Sequence, residues 1–351
     1  MTRDYSQNIW YNLPVCELPK LGGKMKKITG LILILFLVIW GCAPHFHLDF
    51  LGEERIEEVE LVKSKAKEKI LLIDVEGIIS STVSPGFLER EGDILSRVYY
   101  RLEKASKDKT VKGVILRLDT PGGEVTASDI LYNEVLKFKK KTGLPVMGLM
   151  MGLAASGGYY LASGCDYIMA HPSTLTGSIG VISIFPNLKE LFSKIGIKIN
   201  IIKSGKMKDS GGLWRDITEE EKKVFQTIID DYYQKFVEVV YQNRKEYLTR
   251  EELEKIADGR VYTATQAYDL KLIDEIGYFD QALKKILSLT SLKEAKVIAY
   301  SYYPKKKTNI YAKGLKEHSL SKNTNSNYEN LLQTLKSGFY YLWLPLLIPN
   351  Q

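Results

Sequence analysis

The chain has 351 residues, enough for one large domain or two ordinary ones at roughly 100 to 200 residues each. Its composition, 45% hydrophobic, 26% charged and 11% aromatic, excludes collagen-like, coiled-coil and wholly disordered classes. The net charge of +7 lies at the ends, with five basic against two acidic side chains in residues 1–41 and seven against two in 301–351; this argues against a nucleic-acid-binding body and for ends that meet an anionic membrane.

The first strong signal starts at Met25. Lys26 and Lys27 precede an uncharged apolar run of about 13 residues from Gly30 to Cys42, the layout of a secretory signal and short for a span of about 20. Residues 1–24 are polar and irregular, and a signal opens on its basic residues, so translation is expected to start at Met25. The run over 25–42 ends Ile39-Trp40-Gly41-Cys42, which resembles a bacterial lipobox, where the cysteine takes a diacylglycerol and becomes the new N-terminus. Trp40 is bulky for that motif, and an uncleaved membrane anchor is the alternative. Both place the body on the extracytoplasmic side of the cell membrane. With Cys16 ahead of Met25 and Cys42 in the signal, only Cys165 remains in the exported body, so no disulfide framework forms within one chain. No Cys and His cluster has metal-ligand spacing, and no metal site is expected.

Residues 43–68, with EERIEEVE and KSKAKEK, read as a charged, partly helical tether. KILLIDVEGII opens the folded body near Lys69 as a buried strand. A helix over about 92–106, a strand over 111–118, a helix over about 125–140 and a strand over 144–151 follow. After a short helix behind Ser156 come strands over 166–170 and 177–184, a helix over 187–196 and a strand over 197–205. Such alternation predicts an α/β domain over 69–303 with a largely parallel sheet and flanking helices. A long amphipathic helix is predicted from about Thr218 to Asn243, with acids in its first turn as the helix dipole prefers; two shorter helices and the strand AKVIAYSYY complete the domain. Residues 304–351 form a tail that is rich in Lys, Asn and Ser until about Asn330, a stretch that reads as disordered, and that ends in the apolar FYYLWLPLLIP.

Three segments carry candidate chemistry. In RLDTPGGEV, Gly122 and Gly123 free the backbone between a strand and a helix, so that a peptide N–H can point at a ligand; PGG is also a common turn. In GLAASGGYYLAS, Ser156 stands at a strand-to-helix junction, a position that suits a nucleophile whose following amide, that of Gly157, binds an oxyanion; a helix cap is the plainer alternative. A serine needs a base, and the four histidines are poor candidates: His45 and His47 fall in the tether, His171 in a His-Pro turn and His318 in the tail. Lysine serves if it is neutral, which requires its pKa to fall from about 10.4 to near 7. IIKSGKMKDSGG offers Lys203, Lys206 and Lys208, and composition does not choose among them.

Taken together, DTPGG, GLAASGGYY, TGSIGVI, KSGKMKD and GRVYTATQA, in that order over about residues 69–290, resemble the signal peptide peptidase A family, serine proteases with a Ser-Lys dyad on a Clp/crotonase-like fold. The resemblance implies Ser156 as nucleophile, Lys208 as general base, Ser178 of the TGSIG motif as the residue that orients the lysine, and the amides of Gly123 and Gly157 as oxyanion donors. It implies no cofactor. Thr120 stands where the family usually has serine before PGG, and the segment after Lys208 is glycine-rich; neither change removes a catalytic group. A single copy of the motif set implies the short form, a homo-oligomer whose sites are completed by adjacent protomers. The implied activity is that of a membrane-tethered endopeptidase that degrades cleaved signal peptides and similar apolar peptides. A stomatin-linked Ser-Lys membrane protease is the nearest alternative. Crotonase-type acyl-CoA chemistry is disfavoured because acyl-CoA is cytoplasmic, and a non-catalytic binding protein because no motif is missing.

Overall fold

The structure, a computed structural model, describes residues 56–81, 94–302 and 338–343. Met25, the apolar run that follows it and Cys42 lie outside these residues. In chain order the elements are β1 (Ile56–Val62), β2 (Lys69–Glu76), α1 (Ile94–Lys107), β3 (Val111–Thr120), β4 (Gly122–Glu124), α2 (Val125–Thr142), β5 (Val146–Ala155), α3 (Gly157–Ser163), β6 (Tyr167–Ala170), β7 (Leu175–Gly177), β8 (Ile182–Ile184) and α4 (Lys189–Lys194). They continue with α5 (Glu219–Arg244), α6 (Arg250–Ile256), β9 (Val261–Thr263), α7 (Ala264–Asp269), β10 (Glu275–Ile276), α8 (Phe279–Leu289), β11 (Lys296–Tyr302) and β12 (Gly338–Leu342).

Strands β2, β3 and β5 are nearly continuous apolar runs because both of their faces are covered, as parallel strands require. The period of two shows in β2: Leu71, Ile73 and Val75 join the cluster that holds Val98 of α1 and Leu131 of α2. Ile70 and Leu72 point the other way, into the cluster with Phe279 and Ile286 of α8. The main sheet runs β1-β11-β2-β3-β5-β6-β10, and all of these pairs are parallel except β1 with β11. Strand β5 changes partner along its length. Met147–Met150 pair with β6, whereas Leu153–Ala155 pair with β7, which in turn is antiparallel to β9. A second, antiparallel sheet is ordered β4-β12-β8. Helix α5 starts where a capping box places it: the Thr218 hydroxyl accepts the Glu221 N–H (3.2 Å) and the Glu221 carboxylate accepts the Thr218 N–H (2.8 Å).

The mixed α/β class with a mostly parallel sheet is as expected, and three local expectations are corrected. Within the supposed tether, Ile56–Val62 is an edge strand. Its charges read as solvation but suit an edge, where Glu58 pairs with Lys69 and Glu60 with Lys296. The strand expected over 177–184 is broken into β7 and β8, because Gly177 (φ 80°) and Ser178 (φ 51°) turn the backbone into the left-handed region. The strand expected over 197–205 does not form; Ile197, Ile199, Ile201 and Ile202 are exposed and pair with no described strand. In the apolar end of the tail, to which the sequence reading assigns no element, Gly338–Leu342 is a strand with Tyr340, Tyr341 and Leu342 buried. Among the described residues no helix is long and apolar enough to cross a membrane.

Candidate active site

Ser156 follows β5 and directly precedes α3 with φ 53° and ψ −116°, a backbone state that a non-glycine residue holds only when its surroundings fix it. Two bonds do so: its N–H donates to the Gly177 carbonyl and its carbonyl accepts the Tyr160 N–H, both at 2.8 Å. Ser156 lines a cavity of about 450 Å³, together with Ser178, Val181, Tyr233, Leu342 and Trp343. Ser178 itself holds φ 51° and donates its N–H to the Arg260 carbonyl (2.8 Å). The two serines thus occupy two strained turns that face one cleft.

The glycines beside them are required by close backbone approach. A Cβ on Gly122 would stand 2.1 Å from the Tyr341 carbonyl oxygen and 2.5 Å from the Gly157 nitrogen, and one on Gly157 would stand 2.4 Å from Ser128 Oγ. The amide segments of 122–123 and 157 therefore run against each other, as two oxyanion donors must. Thr120 Oγ1 accepts the Gly122 N–H (3.1 Å), so the hydroxyl that matters at this position is present in threonine.

The structure separates the three candidate lysines. Lys203 is paired with Asp209 (2.6 Å) and Lys206 with Glu220. Lys208 is exposed and has no carboxylate partner among the described residues. It does not line the Ser156 cavity, and neither does any other described lysine. His171 bonds to Ser173, stacks edge-on with Tyr278 and also lies away from the cavity. Desolvation pushes the Cys165 thiol up to about 12, so it is no nucleophile.

The feature that the sequence reading missed is a strand from the C-terminal segment that lines the cleft. Strand β12 lies between β4 and β8, with Tyr341 opposite Gly123 and Leu342 opposite Gly122. The Trp343 N–H donates to the Pro121 carbonyl (3.0 Å). Because antiparallel ladders alternate bonded and unbonded pairs, Tyr341 and Gly123 form the next bonded pair, and the Gly123 amide points at the Tyr341 carbonyl. The Tyr341 ring packs on Phe236 (4.7 Å) and Tyr160 (5.2 Å), and its hydroxyl donates to the Tyr232 carbonyl (2.9 Å). An apolar aromatic run is a strand signal, but nothing local to it says which sheet it joins.

Residues 138–293 match the family model described as Peptidase family S49. The protein named "Putative signal peptide peptidase SppA" in Enterococcus faecium is 36% identical over 251 residues, 72% of each chain. A protein of Methanocaldococcus jannaschii named a putative protease is 34% identical over 280 residues, 79% of this chain and 87% of that one. "Protease 4" of Haemophilus influenzae is 34% identical over 229 residues, which are 64% of this chain and 35% of that longer one.

Proposed function

We propose, given that this chain belongs to peptidase family S49 and is a serine peptidase, that it cleaves apolar peptides such as spent signal peptides with Ser156 as nucleophile and Lys208 as general base. The observation that carries this reading is the strained turn at Ser156, which lines the cleft and is followed directly by Gly157, packed against Gly122 and Gly123. Lys208 Nζ takes the hydroxyl proton as Ser156 Oγ bonds to the scissile carbonyl carbon, and the two amides bind the oxyanion. The tetrahedral adduct collapses, the C–N bond breaks, and the lysine returns the proton to the leaving amine. Water then attacks the Ser156 ester by the same route and releases the acid. Ser178 orients the amine.

Three further parts belong to this reading. The fold is the Clp/crotonase-like one. The enzyme is a homo-oligomer in which a neighbouring protomer brings Lys208 to the cleft, which fits a cavity without a described lysine and a lysine exposed in the single chain. The body is tethered on the extracytoplasmic face of the membrane, through a lipid on Cys42 or an uncleaved N-terminal segment. The seat of β12 supports an extended peptide as substrate, paired to β4 on one side and β8 on the other.

The test is hydrolysis of a fluorogenic apolar peptide. Ser156→Ala and Lys208→Ala are expected to fall to background with the fold intact, and Lys206→Ala to keep wild-type turnover. Mixed Ser156→Ala and Lys208→Ala chains are expected to regain part of the activity. A Lys208→Ala protein with near wild-type turnover defeats the dyad, and proven subunit exchange without recovery defeats the shared site.

A further inference from the structure

The turn that carries Lys208 is closed by one guanidinium. Arg215 Nε donates to Asp209 Oδ2 (3.1 Å), and Nη2 donates to Asp209 Oδ1 (2.8 Å) and to the Asp209 carbonyl (3.1 Å). Nη1 reaches Glu221 Oε2 (2.9 Å) and the Asp216 carbonyl (3.0 Å), and Nη2 also donates to Glu221 Oε1. Both carboxylates are withdrawn from water, with the Asp209 side chain 9% and the Glu221 side chain 2% exposed. A forked arrangement of this kind fixes geometry in a way that exposed, single-contact ion pairs do not. Lys203 adds a bond to Asp209 Oδ1 (2.6 Å) and one to the Lys206 carbonyl (3.0 Å). The Lys208 N–H donates to the Gly205 carbonyl (3.1 Å), which closes the turn.

The charges around the turn follow one pattern. Its own acid, Asp209, is held by Arg215 and Lys203. Asp216, further along the loop, pairs with Lys189 of α4. In the first turn of α5, Glu219 pairs with Lys222, Glu220 with Lys206 and Glu221 with Arg215. Every acidic residue from 203 to 222 is therefore engaged by a cation other than Lys208. The residue next to Lys208 in the chain is a carboxylate, and such a neighbour would hold an amine in its charged form if it were free to turn.

We propose that Arg215 is a positioning residue for the reaction: by clasping Asp209 to Glu221 it fixes the turn that presents Lys208 and keeps the adjacent carboxylate from pairing with it. This rests on the reading of Lys208 as general base. Arg215 touches no substrate. Its effect runs through the geometry and the charge balance of the base.

The experiment is the pH dependence of kcat/KM in the full-length protein for Arg215→Gln, Asp209→Asn and the double variant, with a fluorogenic apolar peptide. In Arg215→Gln the acid limb is expected to move up by about 1 to 2 pH units, the size of effect an opposite charge at close range has. Activity on that limb then falls by about tenfold for each unit, while KM changes little. In the double variant the limb returns to its wild-type position, because the freed carboxylate is gone, and kcat stays reduced, because the turn is no longer fixed. Loss of a merely structural contact lowers kcat without moving the limb. An unmoved limb in Arg215→Gln, or a limb that stays displaced in the double variant, overturns the proposal. If Arg215→Gln does not fold, Arg215→Lys keeps the charge but loses the fork; a smaller upward move is expected there, and none overturns the proposal equally. Lys208→Ala separates the two readings. Full activity in that variant removes the base itself, whereas an inactive Lys208→Ala beside an Arg215→Gln profile identical to wild type removes only the clasp.

Discussion

Replacing Tyr341 by alanine is expected to open the cleft to external peptide. Strand β12 is held there by the Tyr341 ring between Phe236 and Tyr160 and by the hydroxyl bond to Tyr232. Truncating a buried aromatic side chain weakens its seat by about 3 to 5 kcal/mol. At about 1.4 kcal/mol per decade, the docking equilibrium of the strand falls roughly 100- to 4,000-fold. A peptide that competes with β12 for β4 and β8 sees that change as a lower apparent KM, until its own intrinsic KM becomes the limit. The expected result is a KM at least about tenfold lower with kcat unchanged, since saturating substrate displaces the strand in both proteins. The assay is steady-state hydrolysis of a fluorogenic apolar peptide, with hydrogen exchange over residues 338–343 to show that the strand has been released. A released strand with unchanged KM, or with kcat reduced in proportion, refutes the reasoning, because β12 would then be a wall of the site and not its occupant.

Gly157→Ala drives a Cβ to 2.4 Å from Ser128 Oγ and is expected to reduce peptide hydrolysis to background at a stability loss of about 1 to 3 kcal/mol; adding Ser128→Ala should recover melting temperature, which a thermal scan reads. Cys165, its thiol pushed up to about 12 by desolvation, should resist alkylation at pH 8 in the native protein and react fully once unfolded, as mass spectrometry would record. Arg215 beside Glu221 holds that carboxyl down to about 2 from an ordinary 4.5. A depressed carboxyl contributes its full stabilisation above the ordinary value and loses it as pH falls through the lowered one. Hydrogen-exchange protection over residues 203–216 should therefore be level down to about pH 5 and collapse between about pH 4 and 2; collapse near pH 6 would contradict the pairing.

What could be read from the sequence was whatever is encoded locally. The buried runs of β2, β3 and β5 and the acidic first turn of α5 carry their own period and caps, and Ser156 is marked by small residues at a strand end. Pairings between distant segments were not legible. Residues 56–62 look solvated until Lys69 and Lys296 are placed opposite their glutamates. Residues 197–205 alternate Ile with polar residues as a strand would, yet no described strand lies beside them. FYYLW is apolar enough for a strand, but its destination between β4 and β8 depends on contacts more than a hundred residues away in sequence. Among the three lysines of the loop, the motif resemblance singles out Lys208, whereas the pairing of Lys203 with Asp209 and of Lys206 with Glu220 is visible only in the folded loop.

The change of partner along β5 has a mechanical consequence. Its first half is bonded between β3 and β6, whereas its last three residues exchange β6 for β7, a three-residue strand braced by β9, with Ala154 still paired to Thr120 of β3. The tip that bears Ser156 is thus anchored on one side by β3 and trued on the other by a small bracket that ends at Gly177 and Ser178. Faults in the core packing and in the bracket are then separable. Small losses of packing around Ile115 or Met147 lower the melting point and leave the tip aligned, while loss of the Thr176 hydroxyl, which donates to the Ala154 carbonyl (2.7 Å), acts directly on the strand end that precedes the serine.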